Sequence, residues 1–487
     1  MNKHFALSLR SAGTLALTAV ALAAFASTAM AAKIKIISSD APGVGFNDPT
    51  PVDPVGGNPG TTLGAQRLFV YETVAHKWEN NLPDGPTIKV DASWPALSCT
   101  DTSGVLGAAG AQSVWRDFPG APFPGTWYSG ALANTLAGED LDEGTDVEIV
   151  SFFNVNLGQP GCLTGGGFYL GVDNQVPLGQ TNFAVVLLHE LGHGLGFQAL
   201  TDGQTGARID DGTGSYPAQW ERFMLDGTTG KTWFDMSDTE RTASARNGRK
   251  LVWSGAHVNA AVPAVLKAGT PLLSVSSNRF PDVAGDYQVG PASFGAPLTA
   301  GAVKGEIARV IDQADGVTGL ACDPFSATNT SAVAGRIALV DRGACTFATK
   351  VKNAQDAGAI GVIVADNVAG SPPASLGGAD PAVIIPSVRI TQADGATLKT
   401  SLSGPVDGPT RVKGRLGVDK AVRAGADAAG RAMLFTPDPY QPGSSVSHWD
   451  TLATRNQLME PSINLDLKQK IAPPQDLTLP LLKDIGW

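Results

Sequence analysis

Histidine is scarce in this chain, with six copies among 487 residues. Any metal site built on imidazole must draw on that small set, so its ligands can be weighed one by one. Cysteine is scarcer, with four copies and none before Cys99, so nothing upstream offers a thiolate to cover a metal. Charged residues make up only 16% against 43% hydrophobic. Such a composition excludes a disordered chain and leaves room for two or three domains with cores of their own. After residue 31 no apolar run approaches the roughly 20 residues of a membrane-spanning helix, so stable membrane insertion is not expected. Positive charge is in the minority, 35 Lys and Arg against 45 Asp and Glu, which argues against a nucleic-acid partner.

Turn formers are plentiful. The 58 Gly and 33 Pro, scattered without a period, predict short elements rather than long helices. Residues 1–31 read as a secretory signal, with Lys3 and Arg10 ahead of an Ala, Leu and Val run and a small-residue cleavage site at Ala29-Met30-Ala31. Losing its two positive charges takes the formal net charge from −10 to −12. The product is expected to be secreted, extracellular or periplasmic, and monomeric. Four cysteines in that setting suggest two disulfides, and the pairing Cys99–Cys162 with Cys322–Cys345 keeps each bridge inside one segment of the chain.

The stretch that carries chemistry is His189-Glu190-Leu191-Gly192-His193, an HExxH pattern on an apolar run. At helical periodicity the two imidazoles lie one above the other and can reach one Zn²⁺, with Glu190 beside the metal's open position as general base toward an activated water. Ala184, Leu188, Leu191 and Leu195 recur at helical spacing and predict a buried stripe. Gly196 lets the chain leave the helix sharply, so that a further ligand can arrive from elsewhere.

Along the chain, 62–82 predicts a helix with Leu68, Val70, Tyr71, Val74 and Trp78 on its apolar face. Strand patterns follow at 87–90, 112–115, 146–153 and 168–172, and a short helix and strand at 238–252. His76 reads as a surface or packing residue, and His257 has no companion ligand nearby. The Asp- and Gly-rich loop 202–214 is a candidate for Ca²⁺, although it lacks the spacing of an EF-hand.

From about 282 to about 407 the character changes. Strands are predicted at 336–343, 360–366 and 383–386, with a helix at 345–357. The run Gly335-Arg-Ile-Ala-Leu-Val-Asp-Arg-Gly-Ala-Cys-Thr-Phe347, with Lys350, Asn353-Ala-Gln-Asp-Ala-Gly-Ala359 and Ile385-Pro386, resembles a protease-associated (PA) domain.

A hydrolytic zinc site uses three protein ligands and keeps one position for water. Apart from His189 and His193, the candidates for the third are His76, His257 and His448, or Glu221 or Glu240 on a second helix. A short-spaced metzincin would carry a histidine at 199, where this chain has Ala199. The segment Ser447-His448-Trp-Asp450 through Met459-Glu-Pro461, with the ending 479–487, is similar to leishmanolysin-type metzincins, whose third histidine is displaced by an insertion. That resemblance implies His448 as third ligand and Met459 as the Met-turn residue beneath the metal.

The expectation is an α+β chain: a signal peptide at 1–31, a metzincin-type catalytic domain of mixed sheet plus active-site helix at 32–281 and 408–487, and an inserted β-rich α/β PA domain at 282–407. The implied function is a secreted zinc endopeptidase acting on protein or peptide substrates through Glu190-assisted attack of zinc-bound water. The alternative from another class is a PA-domain binding or adhesion protein with a structural or vestigial zinc site.

Overall fold

Four strands, Ile34–Ser38, Ile88–Ser93, Ile149–Phe153 and Gly107–Ala111, lie side by side in that order. The first three run parallel and the last, an edge strand, runs antiparallel to Ile149–Phe153. The computed structural model to which they belong describes residues 32–101, 103–142, 146–311, 319–402, 410–464 and 466–487, and the expected signal at 1–31 lies outside the described residues. Among the described residues no helix is long and apolar enough to cross a membrane.

Two helices, Leu63–Glu79 and Phe183–Gly194, join this sheet in one core. Thr62 and Asn182 start them by accepting backbone N–H groups in the first turn. On the first helix Val70, Tyr71, Val74 and Trp78 are fully buried, but Leu68 is 37% exposed. Arg67 takes the place expected of Leu68, because position 67 lies one turn before Tyr71 on the same face. Its guanidinium pairs with Asp48 and stacks over Trp94. The second helix carries more than the expected stripe: every residue but Glu190 is buried, as suits a helix packed over most of its circumference. Gly194 has no side chain because Ile149 occupies the space, a Cβ there lying 2.5 Å from Ile149 Cγ2.

The segment before the insert and the segments after it are woven together. Leu251–Trp253 pairs with Met224–Asp226 on one side and bridges to Met433 on the other, and Leu434 bridges in turn to Trp449. The final helix, Thr478–Ile485, closes over the end of the HExxH helix, where the Trp487 indole donates to the Leu195 carbonyl at 2.7 Å.

The insert is an eight-stranded mixed sheet. Its centre, Val303–Arg309, Ile337–Asp341, Gly361–Ala365 and Ser387–Ile390, is parallel, and the strands face two separate apolar clusters, one on each side. The strand expected at 383–386 begins instead at Ser387, since Pro386 has no N–H to give the ladder. The sheet extends past 282–407 on both sides. Its two longest strands, Ala268–Ser276 and Lys413–Arg423, pair antiparallel from Ser276–Lys413 back to Ala268–Arg423. The chain therefore enters and leaves the insert at adjacent positions. Cys99–Cys162 and Cys322–Cys345 are both bridged.

Phe183 anchors the HExxH helix in an aromatic cluster, its ring 4.9 Å from Phe153, 5.0 Å from Trp94 and Phe168 and 5.9 Å from Tyr71. Phe183→Ala should cost about 3–5 kcal/mol of stability by leaving a cavity there, measured by urea unfolding. A loss below about 1 kcal/mol would contradict this packing.

Candidate metal centre

His189 and His193 come from one helix face and His448 from a bend beyond the insert, yet their Nε2 atoms meet. The separations are 3.1 Å for His189–His193, 3.1 Å for His193–His448 and 3.3 Å for His189–His448. All three rings are buried. Hydrogen bonding on their far sides fixes what these atoms are: Nδ1–H of His189 donates to Leu458 O at 2.7 Å, that of His193 to Phe197 O at 2.7 Å and that of His448 to Ser444 O at 2.8 Å. In a neutral imidazole the proton then sits on Nδ1 and each Nε2 presents a bare lone pair. Three lone pairs facing one another cannot bond among themselves. They can share a cation: a tetrahedral metal with about 2.0–2.1 Å metal–nitrogen bonds sets its ligands about 3.3 Å apart, close to the observed spacing.

Burial keeps these rings neutral. Desolvation lowers His189 to about 4 and His448 to about 3, and takes His193 well below its ordinary value with help from the neighbouring rings.

Each carbonyl is presented by a definite device. The helix ends in a Schellman turn, in which Phe197 N–H bonds Gly192 O at 3.0 Å and Gly196 N–H bonds His193 O at 2.9 Å, with Gly196 at φ +108°. That reversal carries the Phe197 carbonyl back onto His193. Leu458 lies in the turn that seats Met459 against the helix, where Met459 Sδ is 3.0 Å from the place a Cβ on Gly192 would take. Ala199 N–H donates to Ser447 Oγ at 3.1 Å, so the residue before His448 docks beside position 199.

Glu190 lies next to these rings and lines the same cleft, of about 1100 Å³, as do all three histidines. Burial raises its carboxyl to about 7, against the opposing bond from Ala109 N–H, 3.0 Å from Oε2. That N–H belongs to the edge strand. Asn154 N–H bonds Leu106 O and Gln112 N–H bonds Glu148 O, so even-numbered residues face Ile149–Phe153. Gly107, Ala109 and Ala111 turn their peptide groups the other way.

The remaining sequence candidates lie apart from this cluster. His76 is exposed and pairs with Glu79, and His257 is exposed on a helix, Ala256–Val265, that the sequence reading missed. Glu221 is buried against Arg208 at 2.7 Å, while Glu240 caps its own helix and pairs with Lys231. In the loop 202–214, Asp202 serves Gln204 and Thr205, Asp210 serves Gly212 and Ser215, and Asp211 serves Thr213 and Arg116. Those carboxylates do not gather into a cation cage. The carbonyls of Phe197, Leu458 and Ser444 escaped the sequence reading because a backbone acceptor has no residue-type signal.

The sequence profile of the PA domain family matches residues 300–398. The chain is similar to a probable leucine aminopeptidase 2 of Arthroderma benhamiae, 46% identical over 74 residues, 15% of each protein. It is also similar to the minor extracellular protease Vpr of Bacillus subtilis, 31% identical over 118 residues, 23% of this chain and 14% of that one. ER degradation-enhancing alpha-mannosidase-like protein 3 of Xenopus laevis is 46% identical over 89 residues, 17% of this chain and 8% of that protein. The chain thus spans at most 15% of these relatives. Among solved structures, an aminopeptidase from Aneurinibacillus sp. strain AM-1 aligns over 42% of each chain at 18% identity and TM-score 0.23. This chain carries a PA domain within a mixed α/β architecture.

Gly196→Ala should strain the left-handed turn and press its Cβ toward Ser129 Oγ, 2.7 Å away. The expected outcome is a destabilisation of about 1–2 kcal/mol together with weaker zinc binding, read by thermal melts with and without metal. A melting point equal to that of the parent would contradict the turn's role.

Proposed function

We propose that the chain is a secreted zinc endopeptidase whose metal is held by His189, His193 and His448. The observation that carries this reading is the convergence of three unprotonated Nε2 atoms beside Glu190 in an open cleft. Three nitrogens at tetrahedral spacing fit zinc and leave a fourth position free, whereas a purely structural zinc takes four protein ligands. Among the described residues no fourth His, Cys, Asp or Glu joins the group, which favours catalysis over the adhesion alternative. When bound, zinc supplies Lewis acidity toward water and a carbonyl oxygen.

The chain's own groups account for the rest. Glu190 lies on the helix between the two histidines and is positioned to accept a proton from the attacking water and return it to the leaving amine. Its carboxyl, raised to about 7 by burial, has a proton affinity suited to both steps. The hydrogen bond from Ala109 N–H holds it toward the edge strand. Along that strand the outward peptide groups of Gly107 and Ala111, with the carbonyl of Ala109, can pair with an extended substrate, adding it as a further strand. Small side chains there let the substrate backbone approach. Met459 supports the helix from below at Gly192. This arrangement is the basis for relating the catalytic part to leishmanolysin-type metzincins, and two disulfides suit an extracellular or periplasmic protein.

Casein hydrolysis by the purified chain, with and without a zinc chelator, tests the reading. Chelation should abolish hydrolysis and zinc should restore it; activity indifferent to chelation would sink it. Glu190→Gln should retain zinc while losing at least about a hundredfold in kcat, the range removed with a general base. His448→Ala should lose zinc, whereas His76→Ala and His257→Ala should keep it.

A further inference from the structure

Behind the metal centre an arginine joins three parts of the chain. Arg249 is buried, its Nε 3.2 Å from Asp450 Oδ1 and its Nη1 3.3 Å from the carbonyl of Val289, while its backbone N–H bonds Thr436 Oγ1 at 3.2 Å. Asp450 follows His448 by two residues and is wholly buried. Val289 belongs to the insert, between its strands Gly285–Gln288 and Gly290–Pro291. Thr436 lies on the segment that pairs with the histidine-bearing one, where Phe435 N–H bonds His448 O at 2.8 Å.

Two backbone observations show that this region is held against local preference. Arg249 adopts φ +62°, a left-handed conformation usually left to glycine, and it follows a glycine that could have taken such a place. Val446, two residues before His448, is also at φ +62°, a rare state for a β-branched residue. Such conformations persist where surrounding contacts over-determine them. On one side of His448, Val446 N–H is tied to Phe435 O at 2.8 Å; on the other, Asp450 N–H is tied to Met433 O at 2.9 Å and its carboxylate to Arg249. A second connection reaches the insert at Ser371 and Asp438, whose backbones bond reciprocally at 2.8 and 2.6 Å, two residues ahead of the cleft-lining Tyr440.

We propose that Arg249 is a positioning residue for His448, fixing Asp450 to the root of the inserted sheet so that the insert braces the segment bearing the third ligand. The PA domain then contributes to the metal centre without touching it. Removing the guanidinium leaves a buried carboxylate uncompensated and releases the segment from Val289. The proposal rests on the metal-centre reading above.

The test uses the full chain and two readouts independent of turnover: zinc affinity by competition with a chromogenic chelator, and the visible absorption of bound Co²⁺. Arg249→Met should form both disulfides yet bind zinc about tenfold more weakly, in the range found when groups behind metal ligands are removed, and should alter the cobalt spectrum. Arg249→Lys should recover part of the affinity, since an ammonium can still reach Asp450. The paired change Arg249→Met with Asp450→Leu removes the buried charge altogether, and should restore thermal stability without restoring affinity or spectrum. That variant also carries the test if Arg249→Met fails to fold. Recovery of both stability and affinity in the pair would reduce Arg249 to a structural role and overturn the proposal, as would unchanged affinity and spectrum in Arg249→Met. His448→Ala separates the two readings: unchanged zinc affinity there would overturn the metal centre itself, and this proposal with it.

Discussion

Three backbone carbonyls set the orientation of the clustered histidines. By accepting Nδ1–H from His189, His193 and His448, the carbonyls of Leu458, Phe197 and Ser444 select the tautomer that exposes Nε2 and aim each ring inward. One such bond contributes only about 1 kcal/mol to stability, but its directional effect is larger than its energy. A ring turned by half a revolution would put its Cε1–H group where the Nε2 lone pair now points. Much of the nearby architecture can be understood as presentation of these three oxygens: the glycine that reverses the helix, the methionine seated under Gly192, and the loop ahead of His448.

The PA-domain match and the histidine cluster occupy different parts of the chain. The PA profile covers 300–398, whereas the histidines and Glu190 lie at 189–193 and 448. The insert can lie between the clustered histidines because it begins and ends on paired strands, Ala268 opposite Arg423. Loop-closure entropy grows only logarithmically with length, and an insert folded on its own core adds little. The remote histidine is thus brought back by a ladder of short segments, 251–253, 432–435 and 446–450.

Legibility from the sequence followed locality. His189, Glu190 and His193 stand out because their spacing matches one helical turn, and Phe347–Asp356 and the strands around it are marked by continuous runs of one periodicity. Arg67 was overlooked because a charged residue on an apolar face registers as solvent-facing until Asp48 and Trp94 are placed beside it. The edge strand Gly107–Ala111 was overlooked too, since Gly and Ala carry little strand preference. Only the partner strand, and the glutamate on its open side, give it a structural role. The ladder holding His448 consists of pieces too short for any periodic signal, and Arg249 belongs to a tight turn whose importance depends on residues about forty and two hundred positions away.

The separation of 255 residues between His193 and His448 also has a consequence in time. A chain made from its N-terminus exposes the HExxH helix first, then folds the insert, and only afterwards supplies the segment with the third imidazole. Contacts so distant along the chain form late. Until they form, the pair of histidines on the helix has neither Leu458 to orient His189 nor His448 to complete the cluster. The order of synthesis therefore delays assembly of the cluster until the segments carrying His448 and Leu458 have both been made.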